Sequence, residues 1–359
     1  MSGYPSVSPI LHRHLLRGQV IPAHPLALDN QRRLDERCQR ALTRYYLDSG
    51  AGGVAVGVHT TQFAIRQPEV GLLEPILRLA RDTINAYEQR HPDRVIMRIA
   101  GICGDTRQAV AEAEQARSLG YHMGLLSLGA LRNAERDHLI QHAHTVAKTI
   151  PLMGFYLQPS VGGRILDYDF WCRFCEIPNL AAIKIAPFNR YQTLDVVRAV
   201  AAASREDEIA LYTGNDDNIV FDLLSRFEVS CNGQVKTLRI VGGLLGHWAF
   251  WTRRAVELLQ NIQALVQAQP IPEHLTALAW QITDANAATF DPSHQFAGCI
   301  AGIHEILFRQ GLLRHTGCLN PAETLSPGQA EEITRVIKAY PHLTDDAFVK
   351  ENLDRWFLD

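Results

Sequence analysis

The stretch Asn179-Leu180-Ala181-Ala182-Ile183-Lys184-Ile185-Ala186-Pro187 decides the fold: an apolar run of strand length, closed by a proline, with one cation in its middle. A run apolar on both faces is the pattern of a parallel strand covered on both sides. Period-2 alternation puts Ala182, Lys184 and Ala186 on one face and Ile183 and Ile185 on the other. With the isoleucines against covering helices, Lys184 points into the middle of the fold among small neighbours. Burial of an ammonium disfavours its charged form, and a neutral amine is what attacks a carbonyl. The same position also suits a lysine whose head snorkels to the strand end and meets a carboxylate. The residues alone leave both readings open.

Outward from this run, one unit recurs: a short apolar segment ending in glycine or a polar loop, then a helix-period stretch, then the next segment. Eight strands are expected, at Val20-Ala23, Gly53-Gly57, Val95-Ala100, Met123-Leu128, Leu152-Tyr156, Ala181-Ile185, Ile209-Thr213 and Leu238-Gly242. Between them lie amphipathic stretches; Leu34, Cys38, Ala41, Leu42 and Tyr45 share one helix face. Eight alternations over about 250 residues predict an α/β chain of (β/α)8 type, a TIM barrel. An open doubly wound sheet normally carries a glycine-rich dinucleotide loop after its first strand, and His24-Pro25-Leu26 is not one.

Past the eighth helix, Ala268-Gln269-Pro270-Ile271-Pro272 breaks the pattern and only helical periodicity follows. Ser326-Pro327-Gly328-Gln329 reads as a helix start, with Ser326 as cap and Gln329 closing a capping box. The expected division is an N-terminal extension over 1–18, the barrel over 19–268 and a C-terminal helical region over 269–359.

At 359 residues, 47% hydrophobic and 20% charged, the chain is globular and able to bury a large core. A formal net charge of -3 without basic runs gives no reason to expect nucleic acid or a membrane as partner, which leaves small molecules. Met1 to Arg17 holds no apolar segment of signal-peptide type, and nowhere do about 18 apolar residues run together, so a cytoplasmic location is expected. The seven cysteines, Cys38, Cys103, Cys172, Cys175, Cys231, Cys299 and Cys318, fit reduced thiols. Cys172 and Cys175 form a CxxC, but with no second half to complete a zinc set they read as part of an aromatic helix face with Phe170, Trp171 and Phe174.

A barrel places its chemistry at the C-terminal ends of the strands. Lys184 is at that end of strand six. Tyr156 closes strand five, one unit upstream, where a phenol can shuttle protons for imine formation or simply pack at the rim. Thr60 and Thr61, after strand two, suit a carboxylate cradle or ordinary turn capping. Arg164, in the loop after strand five, suits a bidentate carboxylate fork or a solvated surface position. Gly214 and Gly243 fall where strands seven and eight give way to loops, the second resembling a phosphate grip or a tight turn.

In this combination the chain resembles the dihydrodipicolinate synthase / N-acetylneuraminate lyase superfamily of class I Schiff-base aldolases. The likeness runs from about Val20 to Leu313. It is carried by Ile183-Lys184-Ile185, by Tyr156 followed by Pro159, by Gly57 through Thr61, and by Gly214, Asp216 and Asp217. The resemblance implies that Lys184 forms an imine with a 2-oxo acid of the pyruvate type and that Tyr156 relays protons. It further implies that Thr60, Thr61 and Arg164 hold the substrate, that neither metal nor organic cofactor takes part, and that the chain assembles as a homo-oligomer, dimer or tetramer. Two departures mark a divergent member. The loop after strand four, Ser127-Leu128-Gly129-Ala130-Leu131, lacks the tyrosine of authentic synthases, and Arg164 stands farther behind strand five than their arginine does. Two other classes share the barrel: a metal-dependent sugar isomerase or epimerase, drawing on His24, His59, Asp216 and His247, and a non-catalytic small-molecule sensor.

Overall fold

The computed structural model describes residues 3–231, 233–266 and 270–358. Among the described residues there are ten strands: β1 (Val20–Pro22), β2 (Gly53–Val56), β3 (Met97–Ile102), β4 (Met123–Leu126), β5 (Leu152–Leu157), β6 (Leu180–Ala186), β7 (Ala210–Thr213), β8 (Phe227–Cys231), β9 (Gln234–Leu238) and β10 (Ile240–Leu245). Eight form one sheet in the order β1-β10-β7-β6-β5-β4-β3-β2, and a parallel bridge between Ala23 and Ala55 joins its two ends. The fold is a (β/α)8 barrel with a C-terminal helical extension. All eight expected strands are there, each within a few residues of its expected place.

The strand expected at Leu238-Gly242 lies at Ile240–Leu245 because β8 and β9 pair antiparallel between the seventh and eighth barrel strands. This moves Gly243 out of the loop after the last strand and into β10, where it pairs with Thr213. A Cβ on its neighbour Gly242 would lie 2.6 Å from the Gln19 main chain and 2.9 Å from the Tyr212 ring. Gly242 therefore lets the N-terminal segment approach closely, and the Gly243 N–H donates to the Gln19 carbonyl at 3.1 Å.

The helices of the barrel are α1 (Pro9–Leu16), α2 (Glu36–Ser49), α3 (Leu73–Arg90), α4 (Thr106–Ser118), α5 (Arg136–Ala147), α6 (Tyr168–Phe174), α7 (Arg190–Ala202), α8 (Ile219–Leu224) and α9 (Thr252–Leu265). The extension carries α10 (His274–Phe290), α11 (Cys299–Arg309), α12 (Gln329–Ala339) and α13 (Asp346–Trp356). The boundary expected at Ala268 and Gln269 falls outside the described residues. By contacts the chain divides into two compact units, one of 1–19, 97–215 and 221–244, the other of 20–96, 216–220 and 245–359.

In the first unit β3 to β7 and β10 are covered by α4 to α7. Ile183 and Ile185 of β6 are fully buried, and the face carrying Gly154 and Tyr156 of β5 meets Trp171 and Phe174 of α6. Cys172 is half-buried on α6 and Cys175, which caps its C-terminal end, is buried, in keeping with a packing role, and all seven cysteines are free thiols.

The second unit holds β1, β2, α2, α3, α9 and the extension. Asp35 caps α2 by accepting from the Cys38 N–H, Gly50 ends it at φ 100°, and Cys38, Ala41, Leu42 and Tyr45 are buried on its inner face. Against that face lies α13. Tyr45 donates to Asp345 at 2.7 Å, Trp356 donates to Asp48 at 2.6 Å, and the Tyr45 and Trp356 rings meet edge-on. Helix α12 starts later than Ser326 would have it, with Gly328 as cap. Gln329 does reach back to the Ser326 N–H at 2.9 Å, while the Ser326 hydroxyl turns to Asp291. Among the described residues no helix is long and apolar enough to cross a membrane.

Candidate active site

Within the first unit, β6 presents Lys184, 8% exposed, on the face away from α6. Laterally paired residues of a parallel sheet point the same way. The register places Phe155 of β5 beside Lys184 on one side and Tyr212 of β7 on the other. The Lys184 Nζ stands 4.5 Å from the centroid of the Phe155 ring, over its face. Tyr212 directs its hydroxyl to the Leu15 carbonyl at 2.7 Å, and burial pushes its phenol far above the usual range. Space for the lysine is made by Gly214, where a Cβ would come within 2.7 Å of both Lys184 Cε and Ala186 Cβ.

Tyr156 is one residue out of phase. It pairs with Ile185, packs its ring 5.4 Å from that of Trp171, and accepts a hydrogen bond from the Leu166 N–H at 3.1 Å. Burial pushes its phenol up to about 12, so it keeps its proton. The structure thus does not bring Tyr156 and Lys184 together: the phenol lies on the helix side of β5, against Trp171.

Arg164 lies in the loop after β5. Its Nη1 donates to the carbonyls of Leu131 at 2.6 Å and Ala134 at 3.0 Å, fastening the loop after β5 to the loop after β4. A Cβ on Gly129 would lie 2.6 Å from the Gly162 carbonyl, so the two loops touch. Through Nη1 the guanidinium is held to main chain. A third group escaped notice in the sequence. Asp222 accepts from Thr213 at 2.6 Å and from Asn215 at 3.0 Å and pairs with Arg190, while Asn215 accepts from the Phe188 N–H at 3.0 Å. This buried network holds the loops that follow β6 and β7. Its only sequence signal was polar residues close behind a strand.

Within the second unit, Thr60 donates to the Ala23 carbonyl at 2.8 Å and Thr61 to the His24 carbonyl at 2.7 Å, both from their hydroxyls. Thr61 Oγ1 also accepts from the Gly57 and Val58 N–H groups at 3.0 and 3.2 Å. The paired hydroxyls therefore pin the loop after β2 onto the end of β1. Gln62, which follows them, adopts φ 67° and is 4% exposed. Its Oε1 accepts from the Leu319 N–H at 2.7 Å, and Arg32 donates to the Cys318 carbonyl at 3.0 Å. The extension is thereby fastened to the loops at the C-terminal ends of β1 and β2, a contact that nothing in the sequence announced.

His24 is fully buried among Pro25, Gln39 and Thr43, and burial lowers it to about 4. His247 packs on Phe250 and Trp251 and is lowered by burial to about 3. Its N–H donates to Asp216 at 3.1 Å, and the Asp216 carbonyl accepts from Asn286 of α10 at 2.6 Å. Among the described residues no group of three or more His, Cys, Asp or Glu side chains gathers to hold a metal ion.

Residues 17–237 match the model of the dihydrodipicolinate synthetase family. The 4-hydroxy-tetrahydrodipicolinate synthase of Marinobacter nauticus is 26% identical over 242 residues, 64% of this chain and 77% of that protein. The dihydrodipicolinate synthase of Acinetobacter baumannii, solved in complex with pyruvate, has a TM-score of 0.72 at 19% identity, covering 92% of this chain and 99% of that one. The N-acetylneuraminate lyase of Fusobacterium nucleatum gives 0.68 at 14%, covering 90% and 99%. The structural likenesses show the shared barrel. The family match, running over more than half the length, shows that the chain belongs to the dihydrodipicolinate synthetase family.

Proposed function

We propose that the chain is a class I aldolase or lyase in which Lys184 forms a Schiff base with a 2-oxo acid of the pyruvate type. The observation that carries this reading is the placement of Lys184. It is a buried cation on the inner face of β6, with Gly214 clearing room for its side chain and a rigid polar network holding the loops beyond. As the neutral amine, Nζ adds to the ketone carbon and water leaves. The protonated imine then draws electrons from the adjacent carbon-carbon bond, which breaks or forms beside it. Family membership supports aldol or lyase chemistry of this kind, and the pyruvate complex of the Acinetobacter baumannii enzyme supports pyruvate as the first probe.

The chain is read as distinct from the dipicolinate-forming synthases. Its loop after β4 carries Ser127, Leu128 and the short turn Gly129–Leu131, with no aromatic to serve a relay. The test is the mass of the intact chain after borohydride treatment with pyruvate and with longer 2-oxo acids. One reduced adduct per chain is expected with at least one of them, insensitive to EDTA. No adduct across the panel, with folded protein, contradicts the reading.

A further inference from the structure

The second unit holds a cavity of about 180 Å3, bounded by the turn His247–Ala249, the first half of α9, the middle of α10 and the turn Pro341–Leu343. Trp251, Leu278, Ile282 and Leu343 give it apolar walls. An apolar cavity of about 150 Å3 is already enough to take up a benzene ring. Trp251 leads into α9 at φ 50°, a conformation that an aromatic residue keeps only where its surroundings hold it.

Trp248, also in the wall, is the informative residue. It is fully buried, yet its indole Nε1 has no hydrogen-bond partner among the described residues. An indole nitrogen can only donate, and a buried donor left unpaired costs stability that a bound acceptor restores. The charged groups of the wall point to the same kind of ligand. Glu257 accepts from Arg253 Nε at 2.9 Å and from Arg254 Nη1 at 2.8 Å, so two cations already share its one carboxylate. Arg254 donates from Nε to the Thr344 carbonyl at 3.0 Å, and a guanidinium has no acceptor to offer. Asp345 gives its oxygens to Tyr45 and Gln310. Asn261 and the neutral His247 can bond in either sense.

We propose that this cavity is a binding site for a small aromatic carboxylic acid, its ring among the apolar walls and its oxygens accepting from Arg254 and the Trp248 N–H. A plain hydrocarbon of the same size leaves the indole unpaired, and an amine meets the arginine with like charge. The site needs no ketone and does not depend on imine chemistry at Lys184.

The test titrates benzoate, benzamide and toluene into the full chain by calorimetry, with tryptophan emission as a second readout and thermal melting as a check on folding. The wild type should bind one benzoate. Benzamide should bind about three- to tenfold more weakly, the worth of a charged contact to a half-exposed arginine, and toluene about fivefold more weakly again. Arg254→Gln should weaken benzoate by the same three- to tenfold and leave benzamide within about twofold. Trp248→Phe removes the N–H, so it should weaken benzoate and benzamide about fivefold and toluene not at all. Leu278 is half-buried on α10, and Leu278→Trp fills the space from the side of that helix, so all three probes should bind at least about tenfold more weakly. Lys184→Arg should bind benzoate as the wild type does. No benzoate bound by folded wild type, benzoate binding that survives Leu278→Trp, or binding lost in Lys184→Arg overturns the site. Equal affinity for benzoate and toluene overturns the assigned ligand class.

Discussion

Strands β5 and β6 lie side by side, each carries a residue that chemistry would notice, and they differ in which way that residue faces. On β6 the alternation Ala182, Ile183, Lys184, Ile185, Ala186 sets large side chains against small ones, so the bulky pair goes to the helices and the lysine inward. On β5 the run Met153, Gly154, Phe155, Tyr156, Leu157 has large apolar groups on both faces and one glycine. That glycine decides the matter. A Cβ at Gly154 would lie 2.8 Å from the Phe174 ring, so α6 sits close to the strand on the side of Gly154 and Tyr156. The phenol fills the space beside Trp171, and Phe155 takes the inner face. One residue of phase decides which of the two rings faces the lysine.

The sharpest way to break this contrast is to remove the space that the lysine uses. In Gly214→Ala the new methyl would meet Lys184 Cε and Ala186 Cβ at 2.7 Å. Overpacking of this kind costs about 1–3 kcal/mol of stability, and displacing the amine should lower turnover about a hundredfold. Assays on family substrates together with a melting curve check it. Unchanged turnover would show that the side chain of Lys184 is not held where its function depends on it.

The smaller effect is the more telling. Tyr156→Phe keeps the ring against Trp171 and removes only the acceptor for the Leu166 N–H, so about 1 kcal/mol should be lost from unfolding in denaturant. Turnover should stay within about twofold. Loss of a positioned acid-base group instead lowers the rate about a hundredfold or more, and that result would return Tyr156 to the chemistry.

Much of the barrel was legible because each βα unit repeats one pattern of apolar run, glycine or polar loop, and helical period. The hairpin β8–β9 was not, since Glu228, Ser230 and Thr237 make one of its faces largely polar and exposed, unlike a barrel strand. The Asn232-Gly233 dipeptide was nonetheless a hairpin signal in the sequence. Missing the hairpin placed the last strand too early and turned Gly243 into a loop residue.

At the candidate site, the face of Lys184 could be read from its own neighbours. The partners of Thr60, Thr61 and Arg164 could not, because each is a main-chain carbonyl brought near by the fold: Ala23 and His24 for the threonines, Leu131 and Ala134 for the arginine. A hydroxyl or guanidinium in a loop looks the same in sequence whether it waits for a substrate or closes a turn. The fastening of Gln62 to Leu319 spans 257 positions and leaves no local trace.

The central claim is that Lys184 is the amine that meets the substrate. Peptide mapping of the chain after borohydride reduction in the presence of pyruvate, beside the Lys184→Arg variant, tests it most directly. The adduct should fall on the peptide containing Ile183-Lys184-Ile185 in the wild type and be absent from the variant. A label on any other residue, or one that persists in Lys184→Arg, would contradict the account.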